Sequence, residues 1–202
     1  MIKVGIIGGA GYVAGELIRI LVNHPKAEIC FVTSNSQNKK AISEVHADLL
    51  GETRIGFTTK HHYNIDVLFL CGGHGESEKF LAENKVPEEV KIIDMSTDFR
   101  LNDTFSYGLP EVNKKQYGNR IANPGCYATA IQLGLLPLAA SGLLNKEVHI
   151  HAITGSTGAG QSLSYGIHFS WRANNVSVYK PFVHQHLAEI IKTLNKLQGE
   201  DV

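Results

Sequence analysis

Short apolar runs alternate with segments of helical spacing over the first hundred residues. The runs are rich in Val, Ile and Leu, which predicts buried strands at Lys3–Gly8, Glu28–Thr33, Asp66–Cys71 and Val90–Asp94. The segments between them predict helices at Tyr12–Asn23 and Glu76–Asn84. Strands that are apolar on both faces and alternate with helices are typical of a parallel sheet covered on both sides. The sequence therefore predicts an α/β fold.

The second half of the chain has a different pattern. Asn102–Asn123 is polar and rich in turn residues, and the apolar positions that follow predict a helix at Cys126–Ser141. We expect a strand at Lys146–Thr154, where apolar residues alternate, and a helix at His184–Leu197. These features predict one domain over residues 1–146 and a second over 147–202. One strand, a glycine-rich loop and one helix do not enclose a core, so we expect the second domain to be incomplete here.

Composition and charge exclude several classes of protein. The 202 residues contain 19 Lys plus Arg and 19 Asp plus Glu, so the chain lacks the basic excess of a nucleic-acid-binding protein. No run reaches the roughly 18 apolar residues of a membrane-spanning helix, and the N-terminus lacks the pattern of a signal peptide. Three cysteines without a paired motif are typical of free thiols in a reducing compartment. We expect a cytoplasmic protein with no nucleic-acid or membrane partner.

A glycine cluster follows the first strand and begins the first helix. Glycine permits a tight turn and lets backbone N–H groups approach a pyrophosphate, while the helix N-terminus favours negative charge. This strand–turn–helix context predicts a dinucleotide site, and its candidate binding residues are Gly8, Gly9, Ala10, Gly11 and Tyr12. A tight turn that binds no ligand is the alternative.

The end of the second strand indicates which dinucleotide binds. An acidic residue there would bond the ribose of NAD, but no carboxylate occurs between Ser34 and Glu44. Hydroxyl groups and cations favour a 2′-phosphate, so we expect NADP (NADPH), with Ser34, Ser36 and Lys39 among its contacts. A solvated loop without a specific role is the alternative.

Cys126 is the strongest candidate nucleophile. We expect Asn123 to cap the helix and Pro124 to occupy its first position, which places Cys126 in the first turn. Free N–H groups there stabilise a thiolate and lower the pKa of a cysteine, and a thiolate attacks activated acyl groups. Cys30 and Cys71 lie inside apolar strand runs, so we interpret them as core residues.

Two histidines near the predicted last helix are candidates for proton transfer to and from this thiol. His184 and His186 follow an aromatic, proline-containing stretch, and either could act as a general acid or base. Capping or surface histidines are the alternative. Their spacing also suits metal ligation, but no third or fourth ligand is evident, so we expect no metal.

These motifs together resemble the N-acetyl-gamma-glutamyl-phosphate reductase family, which is related to aspartate-semialdehyde dehydrogenases. The resemblance extends over nearly the whole chain and is most specific at the seven residues that begin with Asn123 and contain Cys126. Further matches are the glycine turn and the segments Asp94–Arg100, Tyr107–Glu111, Gly155–Gly160 and His184–Ile190. Asn35 stands where the family usually has Arg, Gln185 and Ala188 replace its usual Arg and Pro, and the chain is shorter than family members.

The resemblance implies a Rossmann-like domain with a doubly wound parallel sheet, and Cys126 belongs to this domain. The start of an α+β catalytic and dimerisation domain follows it. It implies NADPH-dependent reduction of an N-acyl-L-glutamyl 5-phosphate to the semialdehyde in arginine biosynthesis, through a thioester on Cys126. His186, or failing that His184, would move the proton. Ser156 and Gly158 would lie at the nicotinamide side, and Arg100 is a weaker candidate for an anionic ligand.

The resemblance also implies that the chain forms a homo-oligomer and that it binds a small acyl phosphate as its substrate. Two alternatives stay open at this point. The first is a reductase of another acyl phosphate, such as aspartyl phosphate. The second is a catalytically inactive fragment that still binds NADP.

Overall fold

Seven strands form one parallel sheet in the computed structural model, which describes residues 1–113 and 117–199. The strands are Ile2–Ile7 (β1), Ala27–Thr33 (β2), Phe57–Thr58 (β3), Val67–Leu70 (β4), Lys91–Asp94 (β5), Ser106–Tyr107 (β6) and Arg120–Ala122 (β7). Their order across the sheet is β3-β2-β1-β4-β5-β7-β6, and every pairing between neighbours is parallel. The predicted α/β class with a doubly wound parallel sheet is confirmed.

Helices and short 3₁₀ turns connect these strands and complete the chain. The helices are Tyr12–Val22 (α1), Glu76–Glu83 (α2), Pro110–Asn113 (α3), Cys126–Ala140 (α4), Phe169–Arg172 (α5) and Leu187–Gln198 (α6). The 3₁₀ turns are Ile42–Glu44, Ala47–Leu49, Ser156–Ala159 and Tyr165–Ile167. Each helix within the described ranges is too short or too polar to cross a lipid bilayer.

Both faces of the sheet are buried, as the continuous apolar strands predict. Successive strand residues point to opposite faces, so neighbouring residues of one strand enter different cores. Val4 and Ile6 of β1 pack with Ile18 of α1 in one cluster. Leu68 and Leu70 of β4 belong to the other cluster. This two-sided burial fixes the register of the strands and therefore the position of the loops at their carboxyl ends.

The residues group into two compact units. The first contains Met1–Gly108 and the strand β7, up to Asn123. The second begins at Pro124 and also includes α3. Inside the second unit α4 packs against α6 around a small apolar cluster, and the Gln198 amide bonds both the N–H and the C=O of Leu144 at 3.2 and 3.1 Å. The sequence predicts the boundary after residue 146, but here α4 belongs with α6 because their apolar faces are packed together.

The remaining differences from the predicted elements have local causes. Lys146–Thr154 forms no strand, because its alternating apolar residues have no partner strand in the described part of the chain. The helix predicted from His184 begins at Leu187, because the backbone N–H of His186 bonds the His184 ring in a local turn instead. The short strands β3, β6 and β7 went unpredicted, since segments of two or three residues show no periodicity. The polar stretch Asn102–Asn123 includes three residues, 114–116, that lie outside the described ranges, as do residues 200–202 of the predicted second domain.

Replacement of Ile18 by Ala tests the core between α1 and the sheet. Ile18 is completely buried, whereas Ile20 on the same helix is 65% exposed and serves as the matched control. We expect Ile18→Ala to lower the free energy of unfolding by about 2–5 kcal/mol, since it leaves a cavity. Ile20→Ala should change it by less than about 0.5 kcal/mol. Urea unfolding of the three proteins measures this, and equal losses in both variants would contradict the packing described.

Candidate functional site

The turn between β1 and α1 has a backbone that only glycine can form. Gly8 has a φ of +82°, and a Cβ there would lie 2.8 Å from the backbone nitrogen of Gly72. The N–H of Gly9 donates to the Thr33 carbonyl at 2.7 Å, and the N–H of Gly8 donates to the Thr33 hydroxyl at 3.3 Å. Gly11 precedes α1 with open space around it. The turn is therefore held against the end of β2 while its outer side stays accessible to a ligand.

A buried histidine stabilises the turn between β1 and α1. His46 is 7% exposed, and its Nε2–H donates to the Gly9 carbonyl at 2.9 Å. Its ring also lies against the Cα of Gly15, where a Cβ would be 2.7 Å from Nδ1. Sequence reasoning assigned no role to His46, because its partner is 37 residues away and no local pattern marks the contact.

A cavity of about 270 Å³ opens at the carboxyl ends of β1, β2 and β4. Gly8, Ser34, Gly72 and Ser77 are among its lining residues. Parallel sheets of this type bind ligands where the strand order reverses, which here is the crevice beside β1. The Ser77 hydroxyl is buried there, with no hydrogen-bond partner among the described residues. The accessible turn, the crevice and this unsatisfied hydroxyl together fit a dinucleotide.

The residues predicted to contact a 2′-phosphate lie just beyond β2. The hydroxyl groups of Ser34 and Ser36 are 3.4 Å apart, and Ser34 also accepts the N–H of Gln37. Lys39 is exposed and has a φ of +70°, whereas the Lys40 ammonium donates to the Gln37 side chain at 2.9 Å. In the turn between β1 and α1, Ala10 is half-buried, and Tyr12 begins α1 with 45% of its surface exposed.

Asn123 and Arg100 have structural contacts in the first unit. The N–H of Asn123 donates to the Asp94 carbonyl at 2.8 Å, and Arg100 Nε donates to the Asn123 carbonyl at 2.9 Å. Gly125 is the N-cap of α4, so the prediction that Asn123 caps this helix was wrong. The reason is that the backbone of Asn123 continues the parallel pairing of β7 with β5. Arg100 also bonds the Met95 carbonyl, which favours a structural role over an anion-binding one.

Cys126 is the first residue of α4, and its side chain is exposed. The other two thiols differ. Burial raises the pKa of Cys71 to about 12, with the charge of Asp94 acting in the same direction. Burial, followed by the charge of Glu28, also raises the pKa of Cys30, which is half-buried in β2. Cys126 is therefore the only one of the three cysteines that is accessible at a helix start.

His186 packs directly against the residue before Cys126. A Cβ at Gly125 would overlap Cε1 and Nε2 of the His186 imidazole, so only glycine fits there. The Glu189 carboxylate accepts the Gly125 N–H at 3.2 Å and lies 4.0 Å from His186 Nε2. Both side chains are buried, at 7% and 3% exposure. The sequence alone indicates no role for Glu189, since its contact with residue 125 spans 64 positions.

His184 belongs to a cluster of four rings in the same unit, formed by Tyr127, Tyr179, His184 and His186. Tyr127 meets His184 edge to face at 5.2 Å, and the two imidazoles are 4.6 Å apart. The Tyr179 hydroxyl lies 3.3 Å from His184 Nε2. Burial lowers the pKa of His184, the Lys180 charge adds to this effect, and the Glu189 charge opposes it. The structure thus brings both predicted histidines to the start of α4.

Two further predicted residues have no contact with this cluster among the hydrogen bonds and ring contacts described. Ser156 and Gly158 lie in the exposed 3₁₀ turn Ser156–Ala159, where the Gly158 N–H donates to the Gly155 carbonyl at 3.3 Å. Their role at the nicotinamide side stays a prediction.

Sequence comparisons identify relatives for both parts of the chain. The family profile for the NAD binding domain of semialdehyde dehydrogenases matches residues 3–120, and the profile for their dimerisation domain matches residues 126–202. The N-acetyl-gamma-glutamyl-phosphate reductase of Christiangramia forsetii is 56% identical over 99% of this chain, and that of Parabacteroides distasonis is 55% identical over 98%. The chain spans 64% and 63% of the length of these two relatives.

Solved structures share the fold at low sequence identity. Aspartate semialdehyde dehydrogenase II from Vibrio cholerae covers 98% of this chain with a TM-score of 0.62 and 17% identity, and the match covers 66% of that structure. The Candida albicans enzyme, solved with NADP, has a TM-score of 0.57 and 18% identity over 71% of this chain and 48% of its own. Since one family profile alone covers more than half of the 202 residues, the chain belongs to the semialdehyde dehydrogenase family.

Proposed function

We propose that this chain carries out the NADPH-dependent reduction of an N-acyl-L-glutamyl 5-phosphate to the 5-semialdehyde, with release of phosphate, in arginine biosynthesis. The observation that carries the proposal is the exposed Cys126 at the first position of α4, next to a glycine on which His186 is packed. The names of the relatives at 55–56% identity support the choice of substrate.

The residues of the first unit suit NADPH as the cofactor. We propose that the backbone of Gly8, Gly9, Ala10 and Gly11 faces the pyrophosphate and that Tyr12 begins the helix whose N-terminus attracts it. A second set of polar residues, at the end of β2, would hold the 2′-phosphate: Ser34, Ser36 and Lys39. When bound, NADPH supplies the hydride that reduces the acyl carbon.

Cys126 performs the covalent step in this proposal. Its sulfur attacks the acyl carbon of the acyl phosphate, the bond from that carbon to the phosphate oxygen breaks, and inorganic phosphate leaves. Cys126 occupies the first position of α4, and the N-terminus of a helix attracts negative charge. The acyl group is then held as a thioester, and Cys126 regains its thiol when the reduced product departs.

His186 is the proposed acid and base, because its ring lies against Gly125 and close to a buried carboxylate. A proton on His186 is stabilised by the Glu189 charge, whose oxygen is 4.0 Å from Nε2. The imidazole can therefore accept the thiol proton and return it to the departing sulfur. His184 is the alternative acid and base, but burial lowers its pKa, which disfavours a proton on this ring near neutral pH.

Self-association and a cytoplasmic location also belong to this proposal. The match to a dimerisation domain supports a homo-oligomer. The three free thiols are typical of a reducing compartment.

A reverse assay tests the substrate class. The purified protein is given NADP, phosphate and either N-acetylglutamate semialdehyde or aspartate semialdehyde, and NADPH formation is followed by absorbance. We expect turnover with the first aldehyde and at least about a hundred-fold lower kcat/KM with the second, since a site built for hydrogen bonds to one substrate strongly rejects another. A preference for aspartate semialdehyde would refute the proposed substrate, and NADP binding without turnover of either would indicate an inactive fragment.

Replacement of Cys126 by Ser separates the nucleophile from cofactor binding. We expect Cys126→Ser to abolish turnover, because a serine hydroxyl at this site is a far weaker nucleophile than a thiolate. The dissociation constant for NADPH, measured by fluorescence titration, should stay unchanged, since Cys126 is not among the cofactor contacts proposed here. Cys30→Ser is the matched control and should retain activity. Loss of NADPH binding in parallel with turnover would contradict the role assigned to Cys126.

A further inference from the structure

Two hydrogen bonds determine where the proton of His184 lies. The backbone N–H of His186 donates to His184 Nδ1 at 3.1 Å, so Nδ1 uses its lone pair as an acceptor and carries no hydrogen. The hydrogen of the neutral ring must then be on Nε2. Nε2 lies 3.3 Å from the Tyr179 hydroxyl, which accepts that hydrogen. The two contacts together select one tautomer and one ring orientation.

The Tyr179 hydroxyl remains protonated beside this histidine. Burial raises the pKa of Tyr179, and a hydrogen bond with Tyr127 and the charges of Tyr127 and Cys126 act in the same direction. The charge of Cys126 acts on Tyr179, so the phenol is within electrostatic reach of the candidate nucleophile. Tyr127, which directly follows Cys126, has its ring 6.3 Å from that of Tyr179.

The backbone between Tyr179 and His184 is held in an uncommon conformation. Lys180 and Phe182 have φ angles of +42° and +59°, which residues other than glycine rarely adopt. The Lys180 ammonium donates to the Gln185 side chain at 2.8 Å across the same turn. This turn brings the Tyr179 ring to 5.6 Å from the His184 ring, and such strain is typical of segments that position functional groups.

We propose that Tyr179 is a positioning residue for the reaction at Cys126, and that it acts by holding His184 as a neutral Nε2–H ring. The inference rests on the proposed function, because it needs a reaction at Cys126. It separates the two histidines: His186 carries the proton, while His184 stays neutral and orients the ring cluster around Tyr127. No pattern in the sequence assigns a role to Tyr179.

Tyr179→Phe tests this assignment, because it removes only the hydroxyl. Tyr165→Phe is the matched control, since Tyr165 is in the same unit, is 75% exposed and packs on Trp171. We expect Tyr179→Phe to lower kcat by about ten-fold, the cost of one lost hydrogen bond in the transition state. The KM for the acyl phosphate and the alkylation rate of Cys126 should stay near those of the parent. The control should match the parent throughout.

Nitrogen NMR of ¹⁵N-histidine-labelled protein supplies the second readout, which a merely structural tyrosine would not move. In the parent near neutral pH, His184 should show a protonated Nε2 and an unprotonated Nδ1, and Tyr179→Phe should shift the Nε2 signal. A protonated Nδ1 in the parent, or a variant with the parent's kcat, would overturn the role of Tyr179 while leaving the proposed function intact. A parent that binds NADPH but reduces no acyl phosphate would instead overturn the proposed function, and the role of Tyr179 with it.

Discussion

The close contact between Gly125 and the His186 imidazole is the constraint on which the catalytic proposal depends. No side chain fits at position 125, because a Cβ would occupy the space of the ring. The same glycine donates its N–H to Glu189, so α6 holds the start of α4 through one packed ring and one carboxylate. Cys126 is the next residue, so contacts from His186 and Glu189 fix the backbone directly before the candidate nucleophile.

The first unit contains a similar contact between a buried histidine ring and a glycine. The ring of His46 lies against Gly15 and donates to the Gly9 carbonyl, so a buried imidazole again fixes the backbone next to a helix start. In both units the absence of a Cβ creates the space, and the histidine fills it with a polar group that bonds or faces the backbone. Glycine at these positions serves packing as much as it serves turn geometry.

Sequence reasoning predicted the parts of the molecule that depend on local pattern. It found the buried strands β1, β2, β4 and β5, the helices α1 and α2, and the helix that begins at Cys126. It could not find His46, Ser77, Glu189 or Tyr179, since their contacts join positions that are distant in the chain or depend on one side-chain orientation. It misplaced the cap of α4 for a similar reason. Asn123 is a residue type that often caps helices, but its backbone N–H bonds the Asp94 carbonyl at the end of β5. The strand expected at Lys146–Thr154 failed because alternation alone does not provide a partner strand.

The central claim is that Cys126 is the reactive thiol of this chain. The most direct measurement is the rate at which each cysteine is alkylated by iodoacetamide near neutral pH, followed residue by residue by mass spectrometry. The exposure of Cys126 and the raised pKa values of Cys30 and Cys71 predict that Cys126 reacts much faster than the other two. Equal rates for the three thiols, or a slower reaction at Cys126, would contradict the account.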